Sequence, residues 1–245
     1  MERVDYLTLI SGSPVRVEDA VVYPPHLCDI ARIGYNTFEE NLSVWMFNKS
    51  ELRKILNVDN LGELEEYPIL KIITQIQDLR IALLQSMRFF LCLDVGYSPE
   101  FGYFFDSQNG RGYLDFKQIK DVRSIILQLC NVDDDVEDTP VKFKNAKAKE
   151  IYEKIQREKS KKKRSSVRDE KALSMTLPNL ISAVAAFSPT YNYSNIWDLT
   201  IYQFYDQFAR LNDRLQLDVF GHRWAAWGTD NFDFSVWYRP LSKIK

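Results

Sequence analysis

The chain has 245 residues, of which 45% are hydrophobic, and its 34 acidic and 32 basic side chains give a formal charge of −2. This balance excludes an intrinsically disordered chain, and the nine glycines and nine prolines are too few for a collagen-like or low-complexity protein. A chain of this length can bury about 70% of its unfolded surface without disulfide support.

The first predicted element is a β-hairpin. Val4–Ile10 and Val15–Tyr23 are rich in β-forming residues, and Ser11–Pro14 between them contains a glycine and a proline that favour a tight turn. Two short helices separated near Gly34 follow, and a third is predicted over Glu51–Leu56. The apolar residues with helical spacing in the first two are Leu27, Ile30, Ala31, Leu42, Met46 and Phe47.

A long helix, a second hairpin and a further helix are predicted next. Apolar residues recur at helical spacing over Ile69–Leu91 and leave the opposite side polar. Two β-rich runs, 101–106 and 113–116, flank a glycine-rich turn and predict the second hairpin. The next helix should begin at Lys117, because apolar residues then repeat with helical spacing as far as Leu129.

The composition then changes abruptly. Asp133–Asp138 contains five acids in six residues, and Lys142–Lys171 contains 13 basic against 5 acidic residues, which leaves −10 on the rest of the chain. We therefore predict an α+β domain over 1–132, a charged linker or solvated helix over 133–171, and an aromatic-rich helical region over 172–245. The fold class predicted is α+β, predominantly helical, with two small hairpins in the N-terminal part.

The C-terminal region contains 15 of the 33 aromatic residues, between Phe187 and Tyr238. Asn195 can cap a long amphipathic helix, which we expect to extend toward Phe220. Its apolar stripe is Trp197, Ile201, Phe204, Phe208, Leu211 and Leu215. Of these, Trp197, Ile201 and Phe208 are interpreted as core. Aromatic residues outside the stripe fit a core or an interface equally well and are the candidate partner-binding residues: Trp224, Trp227, Trp237 and Tyr238.

No motif for catalysis or metal binding is found. The only histidines, His26 and His222, do not neighbour a nucleophile in a known motif, and we expect structural or surface roles for both. Asp133–Asp138 and Asp106–Gly112 lack the ligand pattern of a calcium loop and are better explained as a linker and a turn. The prediction is a protein without catalytic residues, metal or cofactor, although an enzyme built from dispersed acids and tyrosines leaves no linear motif.

The cysteines are Cys28, Cys92 and Cys130, each beside a leucine, and we expect them to be buried as small apolar side chains. They are too few and too widely spaced for a disulfide framework, which indicates a reducing compartment. The N-terminus has no basic region followed by an apolar stretch, and no segment of about 20 apolar residues is present. We therefore expect a cytoplasmic protein with no membrane partner.

The basic segment Arg157–Arg168 is the strongest electrostatic feature. It is interpreted first as a solvated helix or linker, and otherwise as a contact for an acidic protein or for nucleic acid. Nucleic acid is the less favoured partner, because no aromatic stacking residue lies between Tyr152 and Phe187. The candidate electrostatic contacts are Arg157, Lys161, Lys162, Lys163, Arg164 and Arg168.

Three blocks of the chain resemble tail assembly chaperones of long-tailed phages of Gram-positive bacteria. They are Val22-Tyr-Pro-Pro-His-Leu-Cys-Asp-Ile-Ala-Arg-Ile-Gly-Tyr35, Lys144-Asn-Ala-Lys-Ala-Lys-Glu-Ile151 and Asn195-Ile-Trp-Asp-Leu-Thr-Ile-Tyr-Gln-Phe-Tyr-Asp-Gln-Phe-Ala-Arg-Leu211. The resemblance implies a non-enzymatic protein that binds tape measure or tail tube proteins in the cytoplasm of the bacterial host. It supplies no catalytic residues. Separately from the resemblance, a second copy of the chain is kept among the candidate partners, as in a homo-oligomer.

Two alternatives stay open. One is a nucleic-acid-binding regulator that uses 157–168, for which binding should weaken steeply with salt. The other is a structural component retained in the virion.

Overall fold

The computed structural model describes residues 3–47, 69–100, 102–107, 110–132, 176–228 and 235. Within these ranges the protein is predominantly helical with two small antiparallel sheets, which confirms the predicted α+β class. The helices are α1 (Tyr6–Ser11), α2 (Leu27–Ile33), α3 (Tyr35–Met46), α4 (Ile69–Gln75), α5 (Gln77–Leu91), α6 (Phe116–Leu129), α7 (Leu177–Phe187) and α8 (Ile201–Trp227), with a 3₁₀ turn at Ile196–Asp198. The strands are β1 (Val15–Val17), β2 (Ala20–Val22), β3 (Val95–Ser98), β4 (Gly102–Ser107) and β5 (Gly110–Leu114).

The chain begins with a helix where a strand was predicted. Oδ2 of Asp5 accepts hydrogen bonds from the backbone N–H groups of Leu7 (3.0 Å) and Thr8 (3.3 Å), and so caps α1. Gly12 ends the helix in the left-handed conformation with a φ of 71°. The prediction of a strand over Val4–Ile10 was therefore wrong, because the two helix-end signals outweigh the β-forming side chains.

The first hairpin is formed by β1 and β2 alone. Val15 pairs with Val22 and Val17 pairs with Ala20 across a two-residue turn, so the whole hairpin lies inside the second of the two predicted strands. Ala20 and Val22 are completely buried. The N–H of the next residue, Tyr23, donates to a carbonyl of α5, which fixes the hairpin against that helix.

Two predicted helices meet at Gly34 as expected, but the long helix over Ile69–Leu91 is interrupted. Ile76 adopts an extended conformation, with φ −90° and ψ 117°, and separates α4 from α5. The Arg80 guanidinium donates to the Thr74 carbonyl beside this break (3.2 Å). The predicted helix over Glu51–Leu56 lies outside the described residues.

Strands β3, β4 and β5 form a three-stranded antiparallel sheet. Strands β4 and β5 confirm the second predicted hairpin, while β3 was not predicted. Two phenylalanine rings each lie across a glycine of a neighbouring strand: Phe104 across Gly96 and Phe105 across Gly112. A Cβ atom on either glycine would lie 2.5 Å from the facing ring, so this packing requires glycine at both positions.

Helix α6 packs against α3, α4, the first hairpin and β5. Asp115 caps it in a reciprocal arrangement with Gln118, through hydrogen bonds of 2.8 and 2.7 Å. Its apolar face is buried as predicted, and Nε of Arg123 donates to the Trp45 carbonyl on α3 (2.7 Å). The buried indole N–H of Trp45 in turn donates to Oγ of Ser86 on α5 (2.5 Å).

Side chains from both ends of the chain share one hydrophobic core. Trp45, Phe90 and Phe105 contribute from the N-terminal part, and Ile196 and Phe204 contribute from the C-terminal part. The predicted acidic and basic segments lie within residues 133–175, which the structure does not describe. The division into three parts therefore stays a prediction.

The C-terminal helix begins later than predicted. Asn195 does not cap it; its Oδ1 accepts from the Asn192 N–H (2.8 Å), and Trp197 lies in the 3₁₀ turn. Leu199 is extended and Thr200 is the true cap, so α8 begins at Ile201. The helix then continues to Trp227, beyond the predicted end near Phe220.

Candidate protein-interaction surface

The first half of α8 is fixed to the rest of the protein. Thr200 and Gln203 form a capping box, with hydrogen bonds of 3.2 and 2.9 Å between the side chain of each and the backbone N–H of the other. Nε2 of Gln203 also donates to the Ile10 carbonyl of α1 (2.9 Å). Ile201 and Phe204 are buried in the core, so the helix start is held by polar and apolar contacts together.

Two of the blocks that resemble tail assembly chaperones meet at this point. The Ile201 N–H donates to the Pro25 carbonyl, and the Leu27 N–H donates to the Leu199 carbonyl, both at 2.9 Å. His26 lies between these bonds, and its Nδ1 is 2.7 Å from the Asp198 carbonyl oxygen. His26 therefore has a structural position, as expected.

A partly buried polar cluster ties α8 to α1. Oδ1 of Asp206 accepts a hydrogen bond from the Tyr6 hydroxyl (3.2 Å) and lies 3.7 Å from Nε of Arg210. Arg210 also donates to the Tyr6 hydroxyl (3.2 Å). Burial, together with the nearby Tyr6 and Asp206, raises the pKa of Tyr202 to about 12. The cluster aligns α8 relative to α1.

The second half of α8 is exposed. Asp213 is buried, but from residue 214 to residue 228 every side chain is exposed except for the half-buried Leu217 and Gly221. At 1.5 Å per residue, this exposed half is about 22 Å long. It carries five large apolar side chains, with exposed fractions of 48% for Leu215, 59% for Val219, 45% for Phe220, 52% for Trp224 and 70% for Trp227.

Three of these side chains form what we call the distal aromatic face: Phe220, Trp224 and Trp227. Their spacings of four and three residues place them on one side of the helix. The structure thus puts the predicted partner residues Trp224 and Trp227 on the surface and adds Phe220, which the sequence analysis did not single out. Trp237, Tyr238 and the six basic candidates lie outside the described residues.

An apolar groove of about 300 Å³ lies between α2 and α7. Tyr35, Tyr193 and Trp197 contribute its aromatic wall, and their polar atoms are hydrogen-bonded: Tyr35 to Glu39 (2.5 Å), Tyr193 to Ser182 (2.9 Å) and the Trp197 N–H to a backbone carbonyl. Burial and the Glu39 carboxylate raise the pKa of Tyr35, which keeps its hydroxyl protonated. The groove suits an apolar side chain and contains no acid–base pair.

The cysteines differ from the prediction. Cys130 is buried as expected, but Cys28 and Cys92 are exposed. Cys28 lies beside the buried Leu27 but on the outer side of α2, and Cys92 follows α5 in a left-handed conformation with a φ of 52°. A neighbouring leucine therefore did not indicate burial. Partial burial, and then the Asp29 carboxylate, raise the pKa of the Cys92 thiol.

The described part of the chain has no metal-binding cluster and no membrane-spanning helix. Its His, Cys, Asp and Glu residues do not form any group of three or more that could hold a metal ion. His222 is exposed on the second half of α8. Among the helices that the structure describes, none has the length and apolar character needed to cross a membrane.

Residues 161–242, about a third of the chain, match the family model described as the YomV second domain. The match includes α7 and α8 with the distal aromatic face. That family is named after YomV, a protein of a Bacillus phage region. No curated protein and no solved structure matches the chain.

Proposed function

We propose that this protein is a non-enzymatic phage tail assembly factor of the host cytoplasm, which binds tape measure or tail tube proteins through the distal aromatic face. The observation that carries the proposal is the 45–70% exposure of Phe220, Trp224 and Trp227 on a helix that is firmly held at its other end. Exposed aromatic residues grouped on one rigid face are typical of protein-binding sites.

Two further observations support it. The match to a phage-type domain covers this face, and the blocks that resemble tail assembly chaperones include the segments that anchor α8. A partner that binds here meets a helix already ordered at its base, so little conformational entropy is lost from α8 on binding.

The test is co-expression with candidate tape measure and tail tube proteins, followed by affinity purification. The wild-type chain should co-purify with at least one of them. In the double variant Trp224→Ser/Trp227→Ser, binding should fall by about 100-fold or more, because truncating each central tryptophan typically costs about 2 kcal/mol, roughly 30-fold, and the two losses add in part. A matched control, Leu7→Ser/Ile81→Ser, removes two equally exposed apolar side chains on α1 and α5 and should bind normally.

The results separate the alternatives. Failure to co-purify with either tail protein would refute the proposed function, and equal binding by both double variants would refute the proposed site. Mass spectrometry of purified virions distinguishes an assembly factor, which should be absent from the particle, from a structural component.

A further inference from the structure

One row of side chains runs along the whole of α8 and includes the distal aromatic face. Its members follow one another at alternating spacings of three and four residues, which places them on one side of the helix. This is the spacing with which one helix packs along another in a left-handed pair. We call it the contact row: Gln203, Asp206, Arg210, Asp213, Leu217, Phe220, Trp224 and Trp227.

The first half of the contact row is already covered by a helix of the same chain. Nε2 of Gln203 donates to the Ile10 carbonyl of α1. The Tyr6 hydroxyl of α1 donates to Asp206 and accepts from Arg210. The later residue of α1 thus meets the earlier part of α8, so α1 lies along the row in the direction opposite to α8.

Beyond α1 the contact row changes in character. The N–H of Val4 donates to Oε1 of Gln128 on α6 (2.9 Å), so the chain before α1 turns away from the row. Asp213 is buried and Leu217 is half-buried, and the exposed part of the row extends from there to the end of α8, over about 15 Å. The covered half of the row is polar and the exposed half is apolar, which is the reverse of the usual arrangement.

A glycine lies beside the exposed part of the row. Gly221 is within about 60° of both Leu217 and Trp224 around the helix axis. Glycine inside a helix destabilises it relative to alanine, and it commonly marks a close approach by another element. Because it has no side chain, the ridge of a second helix can come near the backbone of α8 here. A strand fits less well, since its side chains alternate with a period of two.

We propose that the occupant of the distal aromatic face is an amphipathic α-helix of the partner, which continues along α8 the row that α1 begins. The position of the site rests on the proposed function, and the inference adds the kind of structure that binds there. The partner helix needs apolar residues at spacings of three and four, and it stops short of α1 or extends past Trp227. Because the exposed row is short, the dissociation constant should be in the micromolar range.

The test uses two fluorescently labelled peptides of about 21 residues with the same composition. In the helical peptide, leucines are spaced three and four residues apart; in the control peptide, the same leucines alternate with polar residues. Fluorescence anisotropy measures binding of about 10 nM peptide to the full chain at up to about 200 µM. The helical peptide should bind at least about tenfold more tightly than the control, and circular dichroism should show that it gains helix on binding.

Two variants test the position of the bound helix. Gly221→Gln fills the space beside the row and should weaken binding of the helical peptide at least about tenfold, with no loss of helix content, because glutamine favours a helix more than glycine. Ala226→Gln is the matched control: it is exposed on the side of α8 roughly opposite Trp224 and should change the dissociation constant less than about twofold. Trp224→Ser/Trp227→Ser should also weaken binding at least about tenfold.

The outcomes separate this inference from the proposed function, because the peptides contain no tail protein. Equal binding of the two peptides, binding without a gain of helix, or undiminished binding by Gly221→Gln or by Trp224→Ser/Trp227→Ser would overturn the proposal. Binding of the helical peptide without co-purification of either tail protein would count against the proposed function alone. Co-purification that requires both tryptophans, without a preference for the helical peptide, would count against the helical occupant alone.

Discussion

Gly12→Ala adds one methyl group at the end of α1 and tests the contact between α1 and the start of α8. The φ of Gly12 is 71°, and a Cβ atom there would lie 3.0 Å from Cγ2 of Thr200 and 3.2 Å from Nε2 of Gln203. The left-handed conformation costs an L-residue about 1 kcal/mol. Displacing the Thr200 cap and the Gln203–Ile10 hydrogen bond adds about 1–2 kcal/mol. Gly12→Ala should therefore lower the free energy of unfolding by about 2–3 kcal/mol.

Urea and thermal unfolding followed by circular dichroism measure this effect, and the midpoint temperature should fall by about 4–12 °C for a chain of this size. Gly228→Ala is the matched control: its φ is also left-handed, at 62°, but nothing lies within 4 Å of the added Cβ. It should cost only about 1 kcal/mol. Equal losses in the two variants would refute the contact between Gly12 and the start of α8.

Three further predictions concern the core. Gly112→Ala should destabilise the protein by about 2 kcal/mol or more, because the added methyl group collides with the Phe105 ring that lies across Gly112. Chemical denaturation measures this loss of unfolding free energy. Ser86→Ala removes the acceptor of the buried Trp45 N–H and should cost about 1–3 kcal/mol, whereas Ser43→Ala, at an exposed site, should cost almost nothing in the same assay. Folding raises the pKa of Tyr202 from 10.0 to about 12, so the neutral hydroxyl favours the folded state. This contribution to the free energy of unfolding is present below about pH 10 and is lost as the pH rises toward 12. In Tyr202→Phe, the free energy of unfolding should therefore fall less steeply between about pH 10 and pH 12.

The helices with a clear apolar period were predictable because each presents one face to the core. Helix α6, with its Asp115 cap, is an example. Local backbone features were harder to predict. The extended conformation at Ile76 interrupts a continuous apolar stripe, and the helix at Tyr6–Ser11 depends on a cap and a glycine within β-forming sequence. Strand β3 is held by pairing with β4, which no local pattern indicates.

The candidate surface was only partly predictable. Trp224 and Trp227 lie outside the main apolar stripe of α8, and this position pointed to both as residues of the candidate surface. Composition alone could not distinguish an interface from a core. The deciding fact is where the core ends along α8, which depends on the contacts of α1 and α7 and not on the helix itself. Phe220 was missed for the same reason. The cysteines show the converse error, since Cys28 is exposed although its neighbour Leu27 is buried.

The hydrogen bonds that join Pro25 and Leu27 to Leu199 and Ile201 can form only late in the synthesis of the chain. The bonded residues of the two segments are separated by more than 170 residues, as the separation of 172 between His26 and Asp198 shows. At about 5–20 residues per second, a ribosome needs roughly 10–30 s to make that stretch. During this interval the segment that later bonds the Pro25 carbonyl and the Leu27 N–H has not yet been made. The N-terminal part of the nascent chain can therefore complete its packing only after the start of α8 has left the ribosome.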